Sequence, residues 1–222
     1  MNGFEVLRRV LDADTAIADD SAALRASVCV LVAGVDQTPG VCLIRRAKWA
    51  DDPWSEHIAL PGGSRAGNET PAETVRREVR EEVGISIADA EELTALPQLR
   101  IRLAGRERTL LLDSFVYHVM GPVPELRCGP EIHSAFWAPV ADLWNAANLD
   151  YLALGDRGDT LVYPAVRLPQ GTVFGITLRV LTLLSDRLGL PLRYLEEIPG
   201  LRREVCDRAR DPEHAATGAR RE

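Results

Sequence analysis

Two apolar, β-branched runs stand near the start of the chain, Ser27 to Val35 and Val41 to Arg45, separated by Asp36-Gln37-Thr38-Pro39-Gly40. Proline pre-sets a turn dihedral and glycine accepts a positive one, so the pattern predicts a β-hairpin. Ahead of it, Phe4, Leu7, Val10 and Leu11 recur at helical spacing and predict a short amphipathic helix in the first twenty residues. From Lys48 to Gly63 the periodicity breaks, and Asp51-Asp52-Pro53 and Pro61-Gly62-Gly63 mark a loop with a short strand between them.

The next helix carries its own boundaries. Thr70 as N-cap, Pro71 at the first helical position and Glu73 three residues after the cap make a capping-box signature, and Gly84 stands where a C-terminal cap belongs. Leu93 to Leu103 and Arg108 to Val119 read as a second hairpin around Ala104-Gly105-Arg106-Glu107, and Ala135 to Pro139 as a further short strand. Pro139 to Asn145 starts a short helix, Tyr163 to Val166 reads as a strand, and Val173 to Leu188 as a long apolar helix around Leu178, Val180, Leu181, Leu183 and Leu184. Beyond Pro199 the segment Arg202 to Glu222 is charged and nearly free of apolar residues after Val205, which predicts a mobile end. No repeat and no Gly/Ser/Pro-rich linker divides the chain. The expectation is one α/β domain over residues 1–222, with a core from about 26 to 190 and additional helices at its ends.

Composition narrows the class. A chain of 222 residues can bury a core without staples, and 46% hydrophobic with 27% charged residues excludes wholesale disorder. Lys and Arg number 26 against 33 Asp and Glu, a formal charge of -7, which argues against a nucleic-acid binder held by a global basic field. Cys29, Cys42, Cys128 and Cys206 contain no C-x-x-C pair and do not cluster with the four histidines, so neither a zinc site nor a disulfide framework is indicated. The longest apolar run, Ala26 to Val35, is about half of what a membrane span needs. Glu5, Asp12 and Asp14 interrupt the N-terminal apolar residues, unlike a signal peptide. A cytoplasmic protein with free thiols and neither membrane nor nucleic-acid partner is expected.

Chemistry concentrates between Leu60 and Ile85, LPGGSRAGNETPAETVRREVREEVGI. At about 100° per residue, Val75, Val79 and Val83 share one arc of the helix, and Glu78, Glu81 and Glu82 share the adjoining one. Such acids repel by about a few tenths of a kcal/mol per exposed pair, and more when partly buried. Divalent cations give a reason to keep them, because Mg²⁺ and Mn²⁺ prefer hard oxygen ligands and carboxylates at i and i+4 can reach one site. Arg77 can orient the acids without quenching them all, and Pro61-Gly62-Gly63 lets backbone groups approach closely. On the helix alone, the same residues fit a solvated face with i,i+4 ion pairs, which is the commoner arrangement.

The spacing of the whole segment separates the two readings. Gly63, five residues, Glu69, seven residues and then Arg77-Glu78-Val79-Arg80-Glu81-Glu82-Val83-Gly84-Ile85 fill every specified position of the Nudix box. Seven fixed residues at about 6% background match by chance at a given start on the order of a few times in 10⁹. The sequence therefore resembles the Nudix hydrolases, a resemblance that implies an α/β/α sandwich with a mixed sheet. It further implies hydrolysis of a nucleoside diphosphate linked to another group, with Mg²⁺ or Mn²⁺ as cofactor. On this chain it implies Glu78 and Glu82 as main metal ligands, Glu81 as a further ligand or base, the Gly63 carbonyl as a possible addition, and Arg77 with Glu69 holding loop and helix in register. A base outside the box is common in the family. Glu131, in Gly129-Pro130-Glu131 ahead of Ala135-Phe136-Trp137, is the candidate, with Glu125 its substitute; an ordinary exposed loop acid is the plain alternative. His133 is a loop histidine that can bind or shuttle protons.

Within the family, Leu43-Ile44-Arg45-Arg46, Ile58-Ala59-Leu60-Pro61-Gly62-Gly63, the Trp137 segment and the helix after Gly175 resemble the coenzyme A diphosphatase-like subgroup. Asp52 and Glu56 stand where that subgroup has an Arg and a Gly, and Leu60 where it has Phe. The resemblance implies coenzyme A or a derivative as substrate, cleaved to 3′,5′-ADP and 4′-phosphopantetheine, with ADP-ribose, NADH or another nucleotide as alternatives. A 3′-phosphorylated ADP group wants cations, which Arg45, Arg46, Arg100 and Arg102 can supply, with Arg106 nearby; the same arginines also fit a solubilising surface. Trp49 and Trp54 can stack on an adenine, close a lid or cover the core. A nucleotide-sensing regulator and an interaction scaffold are the rival classes, and the long C-terminal helix suits a homodimer surface.

Overall fold

The computed structural model describes residues 24–34, 38–50, 54–88, 90–102, 109–154 and 161–189. The helix expected in the first twenty residues, Arg106 and the charged segment 202–222 lie outside these, as does the side chain of Arg102.

The central strand is β1 (Leu24–Ala33). Along one edge it pairs in parallel with β6 (Thr109–His118), from Leu24↔Leu110 to Val32↔His118. β5 (Glu91–Arg102) then joins β6 as the antiparallel hairpin that the sequence predicts. The other edge of β1 is shared. At its end it meets β2 (Gly40–Arg46) only at Val32↔Val41 and Ala33↔Gly40, the first predicted hairpin. The two strands then diverge, and residues 58–64 fill the wedge. β3 (Ile58–Ala59) pairs with β2, the carbonyl of Pro61 accepts from Cys29 N–H at 2.8 Å, and β4 (Gly62–Ser64) pairs with β1 through Ser27↔Gly63. β7 (Ile132–Pro139) lies on the outer edge of β2. The wedge delivers Pro61-Gly62-Gly63 to the middle of the sheet.

Helices cover both faces. Val75, Val79 and Val83 of α1 (Pro71–Val83), all fully buried, pack on Cys29, Leu31, Cys42, Ile44, Phe115 and Tyr117. Burial of each valine is worth about 1.5 kcal/mol or more, which outweighs about a few tenths per exposed acid pair on the neighbouring arc. On the opposite face, Leu178, Leu181 and Leu184 of α3 (Gly175–Arg187) pack on Val30, Val32, Leu43, Leu112 and Val116. The layers are α1, the mixed sheet, and α3 with a second sheet, so the α/β/α expectation holds.

That second sheet goes beyond the sequence reading. β8 (Leu149–Leu154), β9 (Leu161–Leu168) and β10 (Gly171–Phe174) form an antiparallel three-stranded unit after the short α2 (Val140–Leu143). The expected strand at Tyr163 to Val166 is its middle member and runs longer. The helix expected from Val173 starts at Gly175, because Val173 and Phe174 pair with Val166 and Ala165; the start of a continuous apolar run does not tell strand from helix. Likewise β7 begins at Ile132, three residues before the expected Ala135. The unit docks on the wedge: the Thr177 hydroxyl donates to the Ile58 carbonyl at 3.2 Å, and Phe174 meets His57 edge-on at 4.9 Å between centroids. No helix among the described residues is long and apolar enough to cross a membrane.

The capping box of α1 is complete: Glu73 N–H donates to the Thr70 hydroxyl at 3.2 Å, and Thr70 N–H to the Glu73 carboxylate at 2.7 Å. Thr70→Ala should lower stability by about 1 kcal/mol in urea unfolding with an unchanged m-value.

Candidate active site

α1 holds its acids against the wedge. Gly62 N–H donates to a Glu82 carboxylate oxygen at 2.8 Å, and Glu82 is 5% exposed. Only glycine serves at this place: Gly62 has φ 148°, and a Cβ there would stand 2.3 Å from the Ser27 carbonyl oxygen. A Cβ on Gly63 would stand 2.4 Å from Glu78 Oε1, so the Glu78 carboxylate lies directly against the Gly63 backbone. Burial raises the pKa of Glu78, with the Arg77 guanidinium opposing it. Burial likewise pushes Glu82 up to about 8, the Gly62 N–H and Arg46 opposing the rise and the charges of Glu78 and Glu131 adding to it. Two desolvated carboxylates are thus kept together with incomplete compensation.

Arg77 is the hub of the opposite side. Its Nε donates to Glu69 Oε1 at 2.7 Å, Nη2 to Glu69 Oε2 and the Ser64 carbonyl at 3.1 Å each, and Nη1 to Glu78 at 2.8 Å and Glu81 at 3.2 Å. These contacts use all five N–H donors of the guanidinium. Glu69 also accepts from Ala66 N–H and the Thr74 hydroxyl, so the segment between Gly63 and α1 is laced to the helix. Glu81, half exposed, bonds Arg77 at the edge of this network.

A second loop closes the C-terminal end of α1. Gly84 caps the helix at φ 72°, Arg127 N–H donates to the Val83 carbonyl at 2.9 Å and Gly129 N–H to the Glu82 carbonyl at 3.0 Å. The same loop carries Glu131, whose side chain is exposed, whose charge is felt at both Glu78 and Glu82, and whose carbonyl accepts from Ala47 N–H at 2.9 Å. Glu131, just before β7, and Arg46, at the end of β2, are thus the charged groups from that side that act on Glu82. The donor set suits a hard divalent cation: carboxylates under-compensated by one arginine, with the Gly63 backbone, bare of a side chain, lying directly against the Glu78 carboxylate. Among the described residues, as the side chains stand, no three Asp, Glu, His or Cys side chains form a metal-binding group.

The candidate arginines separate. Arg46 is on the α1 side of β2, whereas Arg45 takes the Glu56 carbonyl through Nε at 3.4 Å. Arg100 is exposed on β5, with β1 and β6 between it and β2, at least about 14 Å away at ordinary strand spacing. Glu125 and His133 are exposed. Unforeseen from the sequence is a tether behind the wedge, in which Arg65 Nη2 lies 3.8 Å from the buried Asp113, itself bonded by Gln98 at 2.8 Å. The paired positions Gly63, Ser27 and Asp113 form one row across three strands, and this row places the tether. Only the strand pairing reveals it.

Arg77 holds the Glu69 carboxyl down to about 2 from 4.5, assisted by the Ala66 N–H. A depressed folded-state value makes its stabilisation complete above pH 4.5 and lost as the pH falls toward 2. In Arg77→Met, Glu69 should titrate near the ordinary carboxylate range, read by carbon NMR of its carboxyl, and acid unfolding should lose this contribution.

An uncharacterised protein of Schizosaccharomyces pombe is 40% identical over 114 residues, 49% of this chain and 34% of the relative, so the match spans about a third of that relative. A MutT/nudix family protein of Enterococcus faecalis has the same fold, with a TM-score of 0.54 at 17% identity over 79% of this chain and 65% of the other. A MutT protein of Methanosarcina mazei gives 0.45 at 20% identity over 57% and 83%. The model of the NUDIX domain matches residues 23–157, more than half of the chain, and with the box, the wedge and the capped carboxylate helix in place the chain belongs to the Nudix family.

Proposed function

We propose that the protein is a divalent-metal-dependent hydrolase that cleaves the diphosphate linkage of a nucleoside diphosphate derivative. The observation that carries the reading is the pairing of buried Glu82 with Gly62 N–H beside Glu78 and Gly63, an oxygen-rich cluster that one arginine leaves under-compensated. Glu78 and Glu82 would hold Mg²⁺ or Mn²⁺, with Glu81 and the Gly63 carbonyl as further donors. When bound, the metal supplies charge neutralisation for the diphosphate and acidifies a coordinated water. Glu131, exposed and with a charge that acts on both ligands, would take a proton from the attacking water. Glu81 is the alternative base. Arg77 and Glu69 keep loop and helix in register, and Arg46 offers positive charge to a substrate phosphate.

Coenzyme A or a derivative is the proposed substrate, on the sequence segments shared with that subgroup. The distance between Arg100 and Arg46 favours the second reading, ADP-ribose or NADH, because one cluster for an extra 3′-phosphate is not assembled from all the candidate arginines. A cytoplasmic enzyme acting on a small nucleotide, with α3 as its homodimer face, completes the proposal.

Incubation with Mg²⁺ or Mn²⁺ and a panel of coenzyme A, ADP-ribose, NADH and dinucleoside polyphosphates should release phosphorylated products, identified by mass. Glu82→Gln, nearly isosteric, should lower kcat by about 100-fold or more while the fold persists. No turnover on any member, or equal turnover in Glu82→Gln, overturns the proposal.

A further inference from the structure

One buried carboxylate takes no part in the proposed reaction. Asp113, in the interior of β6, is 4% exposed, where a charge is costly and aspartate a poor strand former. The sheet is irregular around it. Leu96 pairs with Ser114 and Leu99 with Leu112, so Pro97 and Gln98 of β5 together oppose Asp113 in a bulge. Proline, which has no N–H to donate, suits that position, and the Gln98 amide beside it donates to Asp113 Oδ1 at 2.8 Å. The other oxygen, Oδ2, accepts no hydrogen bond among the described residues and lies 3.8 Å from Arg65 Nη2.

Arg65 matters because of where its side chain starts. It follows Gly63 by two residues, and its N–H continues the β4–β1 pairing by donating to the Arg25 carbonyl at 3.0 Å. Residues i and i+2 of a strand point to one face, so Arg65 leaves the backbone on the face where Glu78 lies against Gly63, about 7 Å along the strand. An arginine side chain can span that distance, and its fork suits a carboxylate. Asp113 stands in the row of Gly63 and Ser27 but on the far side of β1, about 10 Å from Gly63 at ordinary strand spacing. Its pull on Arg65 is therefore sideways along the sheet, away from Glu78. Among the described residues, the ion pair of Arg65 is with Asp113.

We infer that Asp113 is a positioning residue that sequesters Arg65 from the metal-binding carboxylates. The inference rests on the reading of Glu78 and Glu82 as metal ligands and adds a control on the charge around them. With Arg65 tied to Asp113, Glu78 has the Arg77 guanidinium as its ion-pair partner. With Arg65 released, a second guanidinium reaches the same cluster and competes with the cation for its oxygens. The buried pair behind the wedge thus keeps the cluster in front of it open to metal.

Titration of the full chain with Mn²⁺ alone, followed by electron paramagnetic resonance of the free ion, reads the competition without turnover. Asp113→Asn is isosteric and still accepts from Gln98; it should weaken Mn²⁺ binding by about tenfold or more. Asp113→Asn combined with Arg65→Met, which removes the released charge, should return the affinity to near that of the wild type. Asp113→Ser, equally neutral, gives the same comparison where the asparagine chain does not fold. A pair that only braces the strand predicts the reverse, a double variant as weak as the single one. That result, or unchanged affinity in Asp113→Asn, overturns the inference. Glu82→Gln in the same titration keeps the two readings apart. Loss of Mn²⁺ in Glu82→Gln beside unchanged binding in Asp113→Asn strikes the sequestration alone. Equal binding in Glu82→Gln, or none by the wild type, removes the metal reading and the inference with it.

Discussion

The hydrogen bond from Gly62 N–H to the buried Glu82 carboxylate joins two parts of the chain that neither local propensity nor simple packing would bring together. One is a strand fragment with a dihedral closed to other residues, inserted where β1 and β2 diverge. The other is a helix that has to turn an acid inward beside its valines. An unpaired carboxylate in that position would cost several kcal/mol, so the helix register, the positive φ at Gly62 and the split in the sheet stand or fall together. Capping at both ends of α1 and the Arg127–Gly129 contacts fix the same register from outside.

Arg77 shows how the fold tolerates the acids without cancelling them. Its five donors spread over three glutamates and a carbonyl, the strongest grip falling on Glu69, which has no place among the proposed ligands. Glu82 is outside its reach and depends on one N–H and the more distant Arg46. The arginine therefore orders the loop while leaving the inner carboxylates in want of a cation, a division that a lysine, with one point charge and no fork, would not reproduce.

Much of this is legible in the sequence. Thr70, Glu73 and Gly84 stated the limits of α1 because capping is local chemistry, and the valine and glutamate arcs stated its faces because helical period is local geometry. Both hairpins were likewise visible from their runs and turns. The short strand expected between Pro53 and Pro61 is there as Ile58–Ala59, but the wedge it opens was not legible, because the pairing changes partner from β2 to β1 within five residues. β8 and β10 were missed for a related reason, since their six and four residues are strands only in the company of β9. Among the site residues, the separation of Arg45 and Arg46 follows from strand alternation, but that of Arg100 from Arg46 depends on strand order, which no short-range pattern records.

The buried contact between the Thr177 hydroxyl and the Ile58 carbonyl spans 119 residues. During synthesis the box and its helix leave the ribosome long before their support does. The nascent chain can wind α1 early from its own caps, yet the strand leading into Gly62 has its full set of neighbours only after α3 has emerged and folded back. Competence is thus a late event in the life of each molecule, and chains stalled before that helix carry the complete signature sequence without the packing that sets it.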